Sequence, residues 1–204
     1  MDVLTRLACE RPLVVGILLF PDVEVLDFAG PFEVFSVASR ISATADPPFR
    51  VVTVAKDHTV IARQGLSVNA AADFTDHPPI DVLLVPGGII SAVMKDATTI
   101  AWISRIAGTA LLTASVCTGA FLLAEAGLLN GRRATTHWED IPDFRQRFPG
   151  LTVLENVPFV DEGALVTSAG ISAGIEMSLH LVHRILGEEA AIRTANQMQY
   201  RWRG

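Results

Sequence analysis

Cysteine is scarce in this 204-residue chain: Cys9 and Cys117 are its only two, 108 positions apart, and no CxxC or Cys/His pair has zinc-finger spacing. Neither a disulfide framework nor a structural metal is expected, and the reduced cytoplasm is the expected compartment. A basic surplus is also missing. Residues 1–102 hold 7 basic against 12 acidic side chains and residues 103–204 hold 9 against 10, so neither half offers a surface for phosphate backbones. At about 150 residues per domain the length suits one domain, and a fused DNA-binding module is not expected.

Apolar runs of membrane length are absent. The strongest candidate, residues 109–129, contains Thr113, Ser115, Thr118, Gly119 and Glu125, and divides at Cys117 into a β-rich half and a helix-forming half. The N-terminal stretch LTRLACERPLVVGILLF falls short of a secretion signal. Its apolar run is 8 residues long and leads into PDVEVLDFAGP with no small-residue cleavage site. Lipidation at Cys9 is not expected either, because only eight residues precede it and they include Asp2 and Arg6.

What is present is apolar material for a large core: 50% hydrophobic and 19% charged residues, with a mean hydropathy of +0.39. Residues 13–20, LVVGILLF, read as a strand covered on both faces. Val25, Phe28, Phe32 and Phe35 recur at helical spacing, with the helix proper expected to begin at Pro31 after the Gly30-Pro31 interruption. Strands are expected at 49–56, 81–88, 109–116, 133–137, 152–160 and 164–170, and a hairpin or edge strand within 59–74. Helices are expected at 95–107, 121–129, 142–148, 171–186 and 187–200. Strands alternating with helices predict a doubly wound α/β fold with a mostly parallel sheet.

In such sheets chemistry collects at the carboxyl ends of the strands. That rule selects Asp27, Gly87-Gly88, Cys117-Thr118 and His137. Cys117 lies where a buried strand turns into a helix, among Ser115, Gly119 and Ala120, as in the strained elbows that present nucleophiles. A lone cysteine in an apolar stretch is ordinarily core packing. At an elbow, however, the helix N-terminus is expected to lower the thiol pKa and speed its alkylation relative to Cys9.

The N–H groups of Gly87 and Gly88, with that of Thr118, are candidates for holding developing negative charge, the alternative being a tight turn. Asp27 sits among Val, Leu, Phe, Ala and Gly, either as a helix cap or as a carboxyl whose pKa is raised by burial. His137 is a candidate base or substrate-binding group, or a histidine satisfied by Thr135, Thr136 or Trp138. Glu176, His180 and His183 share metal-ligand spacing but, with no other ligand cluster, read as a solvated or interface face.

LFPDVEVLDFAGPFEVF, DVLLVPGG, ASVCTGAFLLAEAGLLNGRRATTHW and VTSAGISAGIEMSLHLV together resemble the DJ-1/PfpI superfamily, in particular its branch of isonitrile hydratases and the sensor domains of AraC-type regulators. The resemblance covers about residues 12–195, the expected core of a single domain spanning 1–204. It implies a flavodoxin-like three-layer α/β/α sandwich, a nucleophilic cysteine at Cys117 and a homodimer.

Other branches carry a glutamate where this chain has Asp27. The aspartate is similar to the isonitrile hydratase pattern, which implies catalysis by Asp27, Cys117 and Thr118 on a small-molecule substrate, without metal or organic cofactor. Glyoxalase-like or amidase-like chemistry is the alternative enzyme, and a ligand sensor without turnover the alternative class. The regulators continue into a basic helix-turn-helix domain, whereas this sequence ends at Arg203-Gly204.

Overall fold

A computed structural model describes residues 3–42 and 46–202; the Arg203-Gly204 end lies outside the described residues. The chain runs α1 (Val3–Glu10), β1 (Leu13–Leu19), α2 (Val25–Arg40), β2 (Phe49–Ala55), β3 (Thr59–Ile61), β4 (Ser67–Asn69), β5 (Ala72–Asp73), β6 (Val82–Val85) and α3 (Ala97–Ala107). It continues through β7 (Leu112–Val116), α4 (Gly119–Glu125), β8 (Arg133–Ala134), α5 (Ile141–Arg147), β9 (Thr152–Val153), β10 (Phe159–Asp161), β11 (Leu165–Ser168), α6 (Ala173–Leu186) and α7 (Glu188–Gln197).

Seven strands form the central sheet in the order β10-β11-β7-β6-β1-β2-β5. Every pairing in it is parallel except that of β10 with β11. The apolar runs become the central strands because only positions covered on both faces tolerate unbroken aliphatic sequence. Every residue of β1, β6 and β7 is accordingly buried. Helices flank this sheet in a flavodoxin-like α/β arrangement, as the resemblance implies.

Three elements depart from the sequence-based reading. The helix expected from Pro31 begins at Val25 and carries Pro31 in its interior. Pro31 forfeits the bond its N–H would make to the Asp27 carbonyl, but burial of Phe28, Val34 and Phe35 along the same helix outweighs that loss. The strand expected at 152–160 is broken into β9, which pairs with β8 in a small separate sheet, and β10, which joins the main one. Residues before the first strand form α1, whose Leu4 is buried in the core. No helix among the described residues is long and apolar enough to cross a membrane.

The amino-terminal ends of β1 and β6 are bolted by Asp81. Its Oδ2 accepts hydrogen bonds from the Val14 N–H (2.8 Å) and Arg11 Nη1 (2.7 Å), and its Oδ1 accepts one from Arg11 Nη2 (2.6 Å). Although burial opposes ionisation, these donors hold the Asp81 carboxyl below the usual carboxylate range. A depressed folded-state pKa contributes stability that is present at neutral pH and lost as pH falls through it. Asp81→Ala should therefore lower stability at pH 7 by about 1–3 kcal/mol, because the buried Val14 N–H loses its side-chain acceptor. The deficit should shrink below about pH 4, where the parent carboxylate is itself titrating, as urea denaturation at both pH values will show.

Candidate active site

The sheet order turns at β1, which is followed in sequence by β2 on one side and by β6 on the other. Its carboxyl end and those of β6 and β7 bring Asp27, Gly87-Gly88 and Cys117-Thr118 together. Asp27, in the first turn of α2, is 0% exposed. The Gly87 N–H donates to its Oδ2 at 3.0 Å, while Oδ1 has no hydrogen-bond partner among the described residues. A Cβ on residue 87 would lie 2.6 Å from Thr118 N and 2.9 Å from Asp27 Oδ2, so only glycine lets the three backbones close on the carboxyl.

Cys117 adopts φ 58°, a left-handed conformation that costs a non-glycine residue of order 1–3 kcal/mol. Its surroundings enforce it. The Cys117 N–H is shared between the Ser168 and Ala169 carbonyls (3.2 and 3.3 Å), and the Thr136 hydroxyl donates to its carbonyl at 2.8 Å. The turn from β7 into α4 is thereby pinned from two neighbouring loops, and the thiol is left buried beside Asp27.

That burial corrects the expectation of a lowered thiol pKa. Loss of solvation, followed by the nearby charge of Asp27, pushes the Cys117 thiol up to about 12, against which the Thr118 N–H exerts a smaller pull. Burial likewise raises Asp27 to about 7, opposed by the Gly87 N–H. The Cys117 thiol and the Ile171 N–H also lean toward its charged form, without reaching full hydrogen-bond geometry at Oδ1. At neutral pH the pair therefore holds a neutral thiol next to a carboxyl poised to gain or lose a proton.

The glycine N–H groups are not open to a developing oxyanion as expected. Gly87 spends its N–H on Asp27, and Gly88 spends its own on Thr118 Oγ1 (2.9 Å). The Thr118 hydroxyl returns a bond to the Gly88 carbonyl (3.0 Å), so it clasps the loop after β6 instead of orienting Asp27 or water. His137 directs Nδ1 to Asp140 Oδ2 at 3.3 Å. His180 is bound to Asp161 at 2.7 Å and His183 packs on Trp202, so the histidines of α6 face separate partners.

Asp140 and Ile171 were not singled out from sequence. Asp140 carried a weak signal, an acid three residues after His137. Ile171 carried none, since nothing in a β-branched residue announces φ 55°. A surface cavity of about 560 Å³, lined by Cys9, Arg11 and Arg193 among others, lies at the opposite, amino-terminal end of the strands and contains none of these groups.

A model of the DJ-1/PfpI family matches residues 14–184. The chain belongs to this family. Among its relatives, the isonitrile hydratase of Pseudomonas putida is 37% identical over 190 residues, which are 92% of this chain and 78% of that protein. The HTH-type transcriptional regulator CdhR of Pseudomonas aeruginosa is 32% identical over 181 residues, 88% of this chain but only 53% of the regulator. This chain thus spans about half the length of that relative. The solved structure of a ThiJ/PfpI family protein from Pseudomonas syringae superposes with a TM-score of 0.82 at 27% identity, over 95% of this chain and 77% of the other.

The raised Asp27 pKa fixes a sign. Between the ordinary carboxylate value near 4 and about 7 the folded state binds a proton that the unfolded state has released, so stability falls as pH rises through this window. Asp27→Asn should flatten that fall and be more stable than the parent at pH 8, by up to a few kcal/mol at about 1.4 kcal/mol per pKa unit, as urea denaturation will show. The same substitution removes the negative charge beside Cys117 and should speed its alkylation by iodoacetamide. In the parent at pH 7, exposed Cys9 should label first, which peptide mass mapping of a time course will check.

Proposed function

We propose that this protein hydrates an isonitrile, R–N≡C, to the N-substituted formamide, with Cys117 as nucleophile and Asp27 as proton carrier. The observation that carries the reading is the buried Asp27–Cys117 pair, with a neutral thiol beside a carboxyl that titrates near 7. The 37% identity to an isonitrile hydratase supports it. An isonitrile carbon must gain a proton and a nucleophile at the same atom. Sulfur bonds to that carbon while Asp27 delivers a proton to it and accepts the thiol proton, giving the thioimidate Cys117–S–CH=N–R. Water then releases R–NH–CHO and restores the thiol.

Thr118 serves this chemistry by holding the Gly88 peptide and by offering its N–H to the developing thiolate. Gly87 serves by fixing Asp27. The reaction draws only on a thiol, a carboxyl and water, so no metal or organic cofactor is invoked. The second reading is a ligand-sensing domain, favoured by the identity to CdhR. Incubation with cyclohexyl isocyanide and detection of the formamide separates the two: a sensor binds or is modified without turnover.

Cys117→Ala should abolish turnover, and Asp27→Asn should lower kcat by about 10² to 10⁴ while remaining folded. An Asp27→Asn protein that is fully active per folded molecule makes Asp27 a structural residue and removes the mechanism. Leu26 and Phe32 remain exposed on α2, and a second copy of the chain is the proposed cover. Light scattering at micromolar concentration should give twice the 21.9 kDa of one chain; the single-chain mass contradicts the dimer.

A further inference from the structure

Glu24 stands immediately before the first residue of α2 and three positions before Asp27. Residues three apart share one face of a helix, and two carboxylates placed so repel each other. Glu24 occupies the capping position, yet its side chain makes no capping bond. It is turned aside to Arg63, in the turn between β3 and β4, whose Nη1 donates to Glu24 Oε2 at 3.1 Å.

The backbone locks this arrangement. The Glu24 N–H donates to the Gly87 carbonyl (2.9 Å), the Gly87 N–H to Asp27 Oδ2 (3.0 Å), and the Asp27 N–H to the Glu24 carbonyl (3.2 Å). These three bonds close a ring that fixes Glu24 against the Asp27 carboxyl. Arg63 is tied to the same loop, its N–H donating to the Val23 carbonyl at 3.1 Å. Two carboxyls so placed do not ionise alike. Glu24 keeps 24% of its side chain exposed and has a guanidinium at hand, whereas Asp27 is fully buried and has no ion-pair partner among the described residues. The negative charge therefore settles on Glu24 and the proton on Asp27. After burial and the Gly87 N–H, the charge of Glu24 is the next largest influence on the Asp27 carboxyl, ahead of the Cys117 thiol and the Ile171 N–H, and it acts to keep the proton on. A partly exposed ion pair contributes little to stability, so the Glu24–Arg63 pair matters for the charge it fixes more than for the fold.

We propose that Glu24 is the positioning residue for the Asp27 proton: with its own charge anchored on Arg63, it makes a second carboxylate on the same turn of α2 unfavourable and keeps Asp27 an acid at neutral pH. The assignment rests on the hydratase reading above only for what that proton does. In capture, Asp27 gives its proton to the isonitrile carbon and takes the thiol proton as the S–C bond forms. Asp27 therefore has to enter the step protonated and leaves it protonated, and a neighbour that holds the proton on sets the fraction of molecules able to react.

The test is titration of Asp27 by carbon NMR of protein labelled at the aspartate carboxyls, its resonance identified by its loss in Asp27→Asn. Glu24→Gln keeps the size and the backbone bonds but drops the charge, and should lower the Asp27 midpoint by about half to one pH unit. Glu24→Asp, which retains a charge, should titrate closer to the parent. On cyclohexyl isocyanide the alkaline fall in kcat/KM should move down with the midpoint in Glu24→Gln, costing about three- to tenfold at pH 8 and progressively less as pH falls. A purely structural Glu24 leaves the midpoint in place and lowers the rate equally at every pH, and either result overturns the proposal. If the parent yields no formamide, the hydratase reading fails, and the titration, which needs no substrate, still decides for or against Glu24.

Discussion

A carboxyl group has been taken wholly out of water at Asp27 and left with one firm hydrogen bond, from the Gly87 N–H. Burying an ionised carboxylate so sparsely solvated is costly, and the group answers by titrating near 7. Much of the surrounding backbone serves to keep it there. The first turn of α2 carries Asp27 in, Gly87 approaches because it has no side chain, and Thr118 ties itself to the neighbouring Gly88. The parallel β1–β6–β7 ladder fixes all three approaches at one end of the sheet, with Asp81 bolting the other.

Cys117 pays in conformation for what Asp27 pays in solvation. Its left-handed backbone persists because bonds from Ser168, Ala169 and Thr136 over-determine it. Those bonds come from β11, from the loop after it and from the segment after β8, elements distant in sequence. The elbow is therefore a tertiary feature, with the conformation of Cys117 set by segments distant from it in sequence.

How much of this was legible in the sequence follows from the range of each interaction. Strands β1, β6 and β7 announce themselves because burial on both faces leaves an uninterrupted aliphatic run. The grouping of Asp27, Gly87-Gly88 and Cys117 at strand ends follows from topology once the sheet is known to be parallel. The Pro31 interruption misled because a local penalty was weighed without the core packing of α2 that overrides it. The direction of the thiol pKa misled for the same kind of reason. The helix terminus is visible in sequence, whereas full burial and a carboxylate contributed from ninety residues upstream are not. The glycine N–H groups looked free only because their acceptors, Asp27 and Thr118, come from other strands.

The chain is similar both to a hydratase and to a transcriptional regulator, and the proposed reaction divides into two halves that bear on that double likeness. In the proposed reaction, capture of an electrophilic carbon needs only the Cys117–Asp27 pair, which is buried and fixed by backbone. Release, in the same scheme, needs water to reach that carbon. A site with the first half intact and the second impaired holds its ligand covalently for as long as the thioimidate survives. That is the behaviour of a sensor. On the proposed chemistry, then, an enzyme and a sensor built on this site would differ in the lifetime of one bond.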